Sequence, residues 1–105
     1  MYYQMYRKNV SDTLDAIFET QEQKLHEAGM VLAQVLEGDG LLYVFGCGHS
    51  HMLAEELFYR AGGLAPVYPI FETAAMLHEG AAKSSQIERM SGYAQHVIAR
   101  YPIGP

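Results

Sequence analysis

The chain has 105 residues and a formal net charge of −5, from 7 basic and 12 acidic side chains, and half of its residues are apolar. That length suffices for one small domain, and the acidic balance excludes a general nucleic-acid binder, which needs basic surface to neutralise phosphates. The single cysteine, Cys47, rules out an intrachain disulfide and points to a reducing, cytoplasmic setting.

The N-terminus, Met1-Tyr2-Tyr3-Gln4-Met5-Tyr6-Arg7-Lys8, is aromatic and then basic, and no apolar signal core follows it. No apolar run approaches the roughly 18 residues of a membrane span, so a soluble protein without a membrane partner is expected. From about residue 3 to 37 the sequence reads as one long helix. Val10, Leu14, Ile17, Gln21, Leu25, Ala28, Leu32 and Val35 recur at spacings of three and four, an apolar stripe broken only by Gln21. A helix of this length is long for so small a domain. Its stripe is expected to pack partly on a sheet and partly on another copy of the chain.

Gly38-Asp39-Gly40 carries helix-stopping chemistry. The uninterrupted apolar run 41–45 suits a strand buried on both faces of a parallel sheet. A glycine loop, 46–50, ends that strand, and a second helix is expected over 50–61, with Leu53, Leu57, Phe58 and Ala61 as its buried side. The stretch 66–71 reads as a second strand whose two prolines suit an edge or an end. Ser85 and Glu88 form a capping box, so helical structure is expected over about 85–100, divided at Gly92. Helix, strand, helix, strand, helix is an α/β pattern with a parallel sheet. Two strands alone make a poor sheet, so the chain reads as the N-terminal part of a larger, doubly wound α/β domain.

The chemistry concentrates in Gly46-Cys47-Gly48-His49-Ser50. A buried parallel strand turns sharply there and starts a helix. Glycines let a ligand approach the backbone, the first N–H groups of the helix are unpaired, and the helix dipole adds about half a positive charge. Ser50 stands where an N-cap hydroxyl belongs and could also bond a phosphate oxygen. An anion is therefore favoured at this spot. A dinucleotide fingerprint would need a third glycine where His51 stands, and a P-loop would need Gly-Lys-Ser/Thr, so nucleotide readings are weak. A tight turn with no ligand is the bland alternative.

Leu42 to Ser50, with Tyr-Val-Phe-Gly-Cys-Gly-His-Ser at its core, resembles the first loop of SIS (sugar isomerase) domains. The wider stretch from Gly48 to Gly63, with Met76-Leu77-His78-Glu79-Gly80 and Lys83-Ser84-Ser85, resembles an uncharacterised, phosphoheptose isomerase-like bacterial branch of that family. The resemblance implies a doubly wound α/β unit that binds phosphosugars as an isomerase, a lyase or a regulatory module. It implies a long first helix packed in homodimers or homotetramers, phosphate binding at Ser50, and a second phosphate loop after a later strand, beyond position 105. Its better-known members keep a working glutamate late in the helix after the loop, and ungapped counting from Ser50 puts Arg60 there.

His49 and His51 flank Ser50 and could donate to phosphate, act as acid and base, or only cap the turn. His51 and Glu55, four apart on one helical face, have a spacing compatible with a metal pair, although no metal and no cofactor is expected. Glu55 and Glu56 also read as a solvated helix face. His78-Glu79 follows the second strand, at the sheet edge where ligands gather, and Glu79 is the preferred candidate base, with His49, His51, His78 and Glu55 as further proton carriers. Phosphate or sugar contacts are expected from Gly46, Cys47, Gly48, His49, Ser50, Ser84 and Ser85, the two last being helix caps first. The function that best fits is a sugar-phosphate isomerase or lyase. A noncatalytic phosphosugar sensor and a structural, oligomerising fragment are the alternatives.

Overall fold

The computed structural model describes residues 1–104. The chain divides into two compact units, Met1–Gly38 and Asp39–Pro105.

The first unit is one helix, α1, Tyr2–Glu37, of 36 residues. No proline interrupts its period. Gly38 closes it with a φ of −86°, and the left-handed turn falls one residue later, on Asp39 at φ 57°. Asparagine-like side chains tolerate this region better than most. A lone helix has nothing within its own unit to pack against, and Val10, Leu14, Ile17, Leu25, Leu32 and Val35 stand 36–50% exposed.

The second unit is an α/β element. Strand β1, Leu42–Phe45, pairs with β2, Val67–Ile70, in parallel, Leu42 opposite Val67 and Phe45 opposite Ile70. Parallel strands need a crossover, and helix α2, His51–Leu57, supplies it. Tyr43 and Tyr68 lie opposite each other with ring centroids 5.5 Å apart, and Tyr101 packs edge-on against both. Helices α3, Ala81–Glu88, and α4, Tyr93–Ile98, follow. Ala54, Val67, Ile70, Ala75, Met76 and Val97 form the small core, with His51 and Ser84 buried among the polar residues.

Several expectations are corrected. β1 is half-buried rather than covered on both faces, and Phe45 is exposed, because two strands give too narrow a floor to be enclosed. Helix α2 ends at Leu57, not 61: Phe58 is extended and Tyr59 takes φ 50°. Its buried residues are His51 and Ala54, three apart, while Leu53, Leu57, Phe58 and Ala61 are exposed. The capping box does not form. Gly80, at φ 139°, precedes a helix that begins at Ala81, which places Ser85 mid-helix.

One long-range polar cluster ties α4 to the segment after β2. The Glu72 carboxylate accepts from the Tyr93 hydroxyl at 3.0 Å and from the Arg100 guanidinium. Burial alone would raise the Glu72 carboxyl, but the bonds from Arg100 and Tyr93 and the Arg100 charge outweigh it and hold it below the ordinary value. The same bond to Glu72 raises the Tyr93 phenol. A depressed folded-state carboxyl contributes stability that is complete above its unfolded value, near 4, and is lost as pH falls through the folded value. Thermal midpoints read by circular dichroism should therefore fall more steeply below about pH 4 in the parent than in Glu72→Gln. Equal acid sensitivity of the two would remove Glu72 from this role.

Candidate functional site

The carboxyl ends of β1 and β2 carry the candidate residues. After Phe45 the chain turns through Gly46-Cys47 into a single 3-10 turn, Gly48–Ser50, which runs straight into α2. Gly46 is demanded by proximity. A Cβ there would lie 2.6 Å from the Ser50 carbonyl carbon and 2.8 Å from the His51 nitrogen. Gly48 is demanded by conformation, with φ +54° and open space around it. The Ser50 N–H donates to the Cys47 carbonyl at 3.0 Å, so the unpaired donors of the helical start lie upstream of it. Ser50 itself is helical and exposed, and its hydroxyl makes no capping bond. Burial, then the Glu88 charge, raises the Cys47 thiol, which disfavours the thiolate a nucleophile would need.

His51 is 1% exposed. Its Nδ1 meets the Gly48 carbonyl oxygen. A carbonyl only accepts, so Nδ1 carries a proton and donates to it. Nε2 is buried and has no hydrogen-bond partner among the described residues. It faces the Glu55 carboxylate at 3.5 Å, one helical turn on. From the other strand end comes His78, in a 3-10 turn Leu77–Glu79, its ring centroid 5.1 Å from that of His51. One ligand atom from each of His51, Glu55 and His78 lies within 4.8 Å of the others.

The structure thus brings together three of the residues singled out from sequence. The rest are placed differently. Glu79 is about half-exposed and points to Lys83, 3.7 Å away. His49 is exposed. Ser84 is buried with its hydroxyl donating to the Ala81 carbonyl at 2.8 Å, which occupies the group proposed for ligand contact, and Ser85 is exposed on α3. Arg60 lies past the end of α2, ion-paired with Glu56. It therefore does not occupy a late helical position here. A cleft of about 540 Å³ lies along Phe58–Ala65, beside Tyr59, Arg60 and Leu64. That segment feeds the amino end of β2, whereas ligands of parallel sheets gather at the carboxyl ends, so the cleft is not assigned to this site. Sequence reasoning missed Glu72, Tyr93 and Arg100 as an ensemble, since no local spacing links them.

No helix among the described residues is long and apolar enough to cross a membrane. Comparison with known proteins gives a match to the family described as SIS domain over residues 5–105. The chain is 49% identical over 92 residues to a UPF0309 protein of Listeria monocytogenes serotype 4b, covering 88% of this chain and 37% of that protein. It is 43% identical over 100 residues to a UPF0309 protein of Geobacillus kaustophilus, covering 95% of this chain and 40% of the relative. A UPF0309 protein of Thermoanaerobacter pseudethanolicus is 48% identical over 100 residues, 93% of this chain and 40% of that protein. The chain spans about two fifths of the length of these curated relatives.

Proposed function

The chain belongs to the SIS domain family, and on that footing we propose that it serves a phosphosugar-binding protein, a sugar-phosphate isomerase or related lyase, with the phosphate held by the Gly46–Ser50 loop. The observation that carries this reading is the loop's position. It stands at the carboxyl end of a parallel strand, its glycines are required by close approach and by a positive φ, and an exposed Ser50 hydroxyl is free to meet a ligand. Family membership turns that anion site toward sugar phosphates. Calorimetric titration of the intact protein with hexose and heptose phosphates, against the free sugars, tests it. Phosphate esters should bind and free sugars should not, and Ser50→Ala should weaken binding by about 10-fold or more, the loss of one hydrogen bond to a charged group. Equal affinity for sugar and sugar phosphate would sink the proposal.

Within that reading, Glu79 moves a proton at the sugar, assisted by His49, His51 or His78. A noncatalytic sensor is the second reading, favoured by the Glu79–Lys83 pairing and by the location of Arg60 outside α2. Full turnover by a Glu79→Gln variant on an identified substrate would remove Glu79 as the base. The exposed stripe of α1 supports a homodimer or homotetramer built on that helix. Light scattering on Leu14→Glu is expected to show a smaller assembly than the parent.

A further inference from the structure

We propose that His51, Glu55 and His78 form a binding site for a divalent first-row transition metal of the zinc type, contrary to the expectation from sequence that no metal is held. Two imidazoles and a carboxylate are the N/O donor set of three-ligand zinc sites, which keep a fourth position for water or substrate. The three donor atoms converge within 4.8 Å, the helical pair His51 and Glu55 being joined by His78 from the segment after the other strand. Convergence alone would be weak evidence. The buried, unpartnered Nε2 of His51 makes it stronger.

With Nδ1 committed to the Gly48 carbonyl, Nε2 is the ring atom left for a ligand; it is buried, has no hydrogen-bond partner among the described residues, and faces the Glu55 carboxylate. A buried ring nitrogen without a partner is uncommon and calls for one, and the Glu55 carboxylate beside it is half-exposed. A direct charge-assisted bond between Nε2 and the carboxylate would stand at about 2.7–2.9 Å. The observed separation is 3.5 Å. Ligands about 2.0–2.2 Å from a tetrahedral ion stand about 3.3–3.6 Å from each other, which the His51–Glu55 pair matches, with an exposed His78 within 4.8 Å of both. The backbone bond to Nδ1 is also the device by which metal-binding histidines commonly fix their tautomer and ring plane. Glu55 and His78 are exposed, so an ion has a way in and an open coordination position on the solvent side. A cation there sits one residue beyond the Gly46–Ser50 loop, at the carboxyl edge of both strands.

The test uses the intact protein and zinc alone, without any sugar phosphate, so its failure would leave the phosphosugar proposal untouched. After chelator stripping, equilibrium dialysis should show one equivalent of Zn2+ bound per chain. His78→Ala and Glu55→Gln, both at exposed positions, should keep the parent circular dichroism spectrum. Each should lower zinc affinity by at least about 10-fold, the lower end of what even outer-shell changes cost. Co2+ in place of zinc should give the visible absorption of a low-symmetry, four- or five-coordinate ion in the parent and lose it in His78→Ala. Absence of stoichiometric zinc overturns the proposal. So does zinc bound equally by the parent and by both variants, the mark of adventitious metal elsewhere on the chain.

Discussion

Gly46→Ala is expected to destabilise the α/β unit by about 3 kcal/mol, the upper end of overpacking costs. The added methyl would lie 2.6 and 2.7 Å from the Ser50 carbonyl carbon and oxygen and 2.8 Å from the His51 nitrogen. All three are backbone atoms at the start of α2, and none can rotate aside as a flexible side chain would. Either β1 or the 3-10 turn must move, and the Phe45–Ile70 end of the sheet moves with it. A small domain has little stability to lose, within the general range of about 5–15 kcal/mol. Gly48→Ala is the control. No atom lies within 4 Å of a Cβ there, so only the left-handed conformation resists it, at about 1–2 kcal/mol. Urea denaturation of the intact protein, followed by hydrogen exchange of the β1 and α2 amides, separates the two. A Gly46→Ala protein no less stable than Gly48→Ala would remove the close approach as the reason for a glycine at position 46. The same displacement moves His51, so zinc affinity should fall further in Gly46→Ala than in Gly48→Ala.

The α/β class, the long helix and the parallel pairing were legible because each rests on a short-range pattern: an unbroken period of three and four, an apolar run, and a chain order that demands a crossover. What was not legible depends on distance in sequence. The buried side of α2 was assigned from its leucines, but the narrow two-stranded floor takes His51 and Ala54 instead. Ser85 and Glu88 have cap spacing, yet Gly80 at φ 139° starts the helix earlier and leaves the pair without a terminus to cap. In the site, the helical spacing of His51 and Glu55 could be read directly. Sheet-edge logic brought His78-Glu79 toward the loop without saying which of the two would arrive. The 3-10 turn over Leu77–Glu79 decides that: His78 faces His51, and Glu79 turns to Lys83. The Glu72–Arg100 pair spans 28 residues and has no signature at all.

His51→Ala should separate structure from chemistry in one residue. His51 and Val97 are the largest fully buried side chains among the described residues. Truncation leaves a cavity and strips the Gly48 carbonyl of its donor, and together these are expected to cost about 3–4 kcal/mol. That loss belongs to the metal-free protein and is read by denaturation in chelator. Zinc then adds a second, independent difference. A ligand present at 100 times its dissociation constant stabilises the folded state by about 2.7 kcal/mol, and the parent should gain about that much. His51→Ala should gain almost nothing, so the gap between the two widens when zinc is added. His78→Ala should lie between them, near the parent in chelator because its side chain is exposed, and with at most about half of the zinc gain. A His51→Ala protein as stable as the parent in chelator would contradict its place in the core. One that gains as much from zinc as the parent does would contradict its place on the metal. The two failures are read in different buffers and cannot be mistaken for each other.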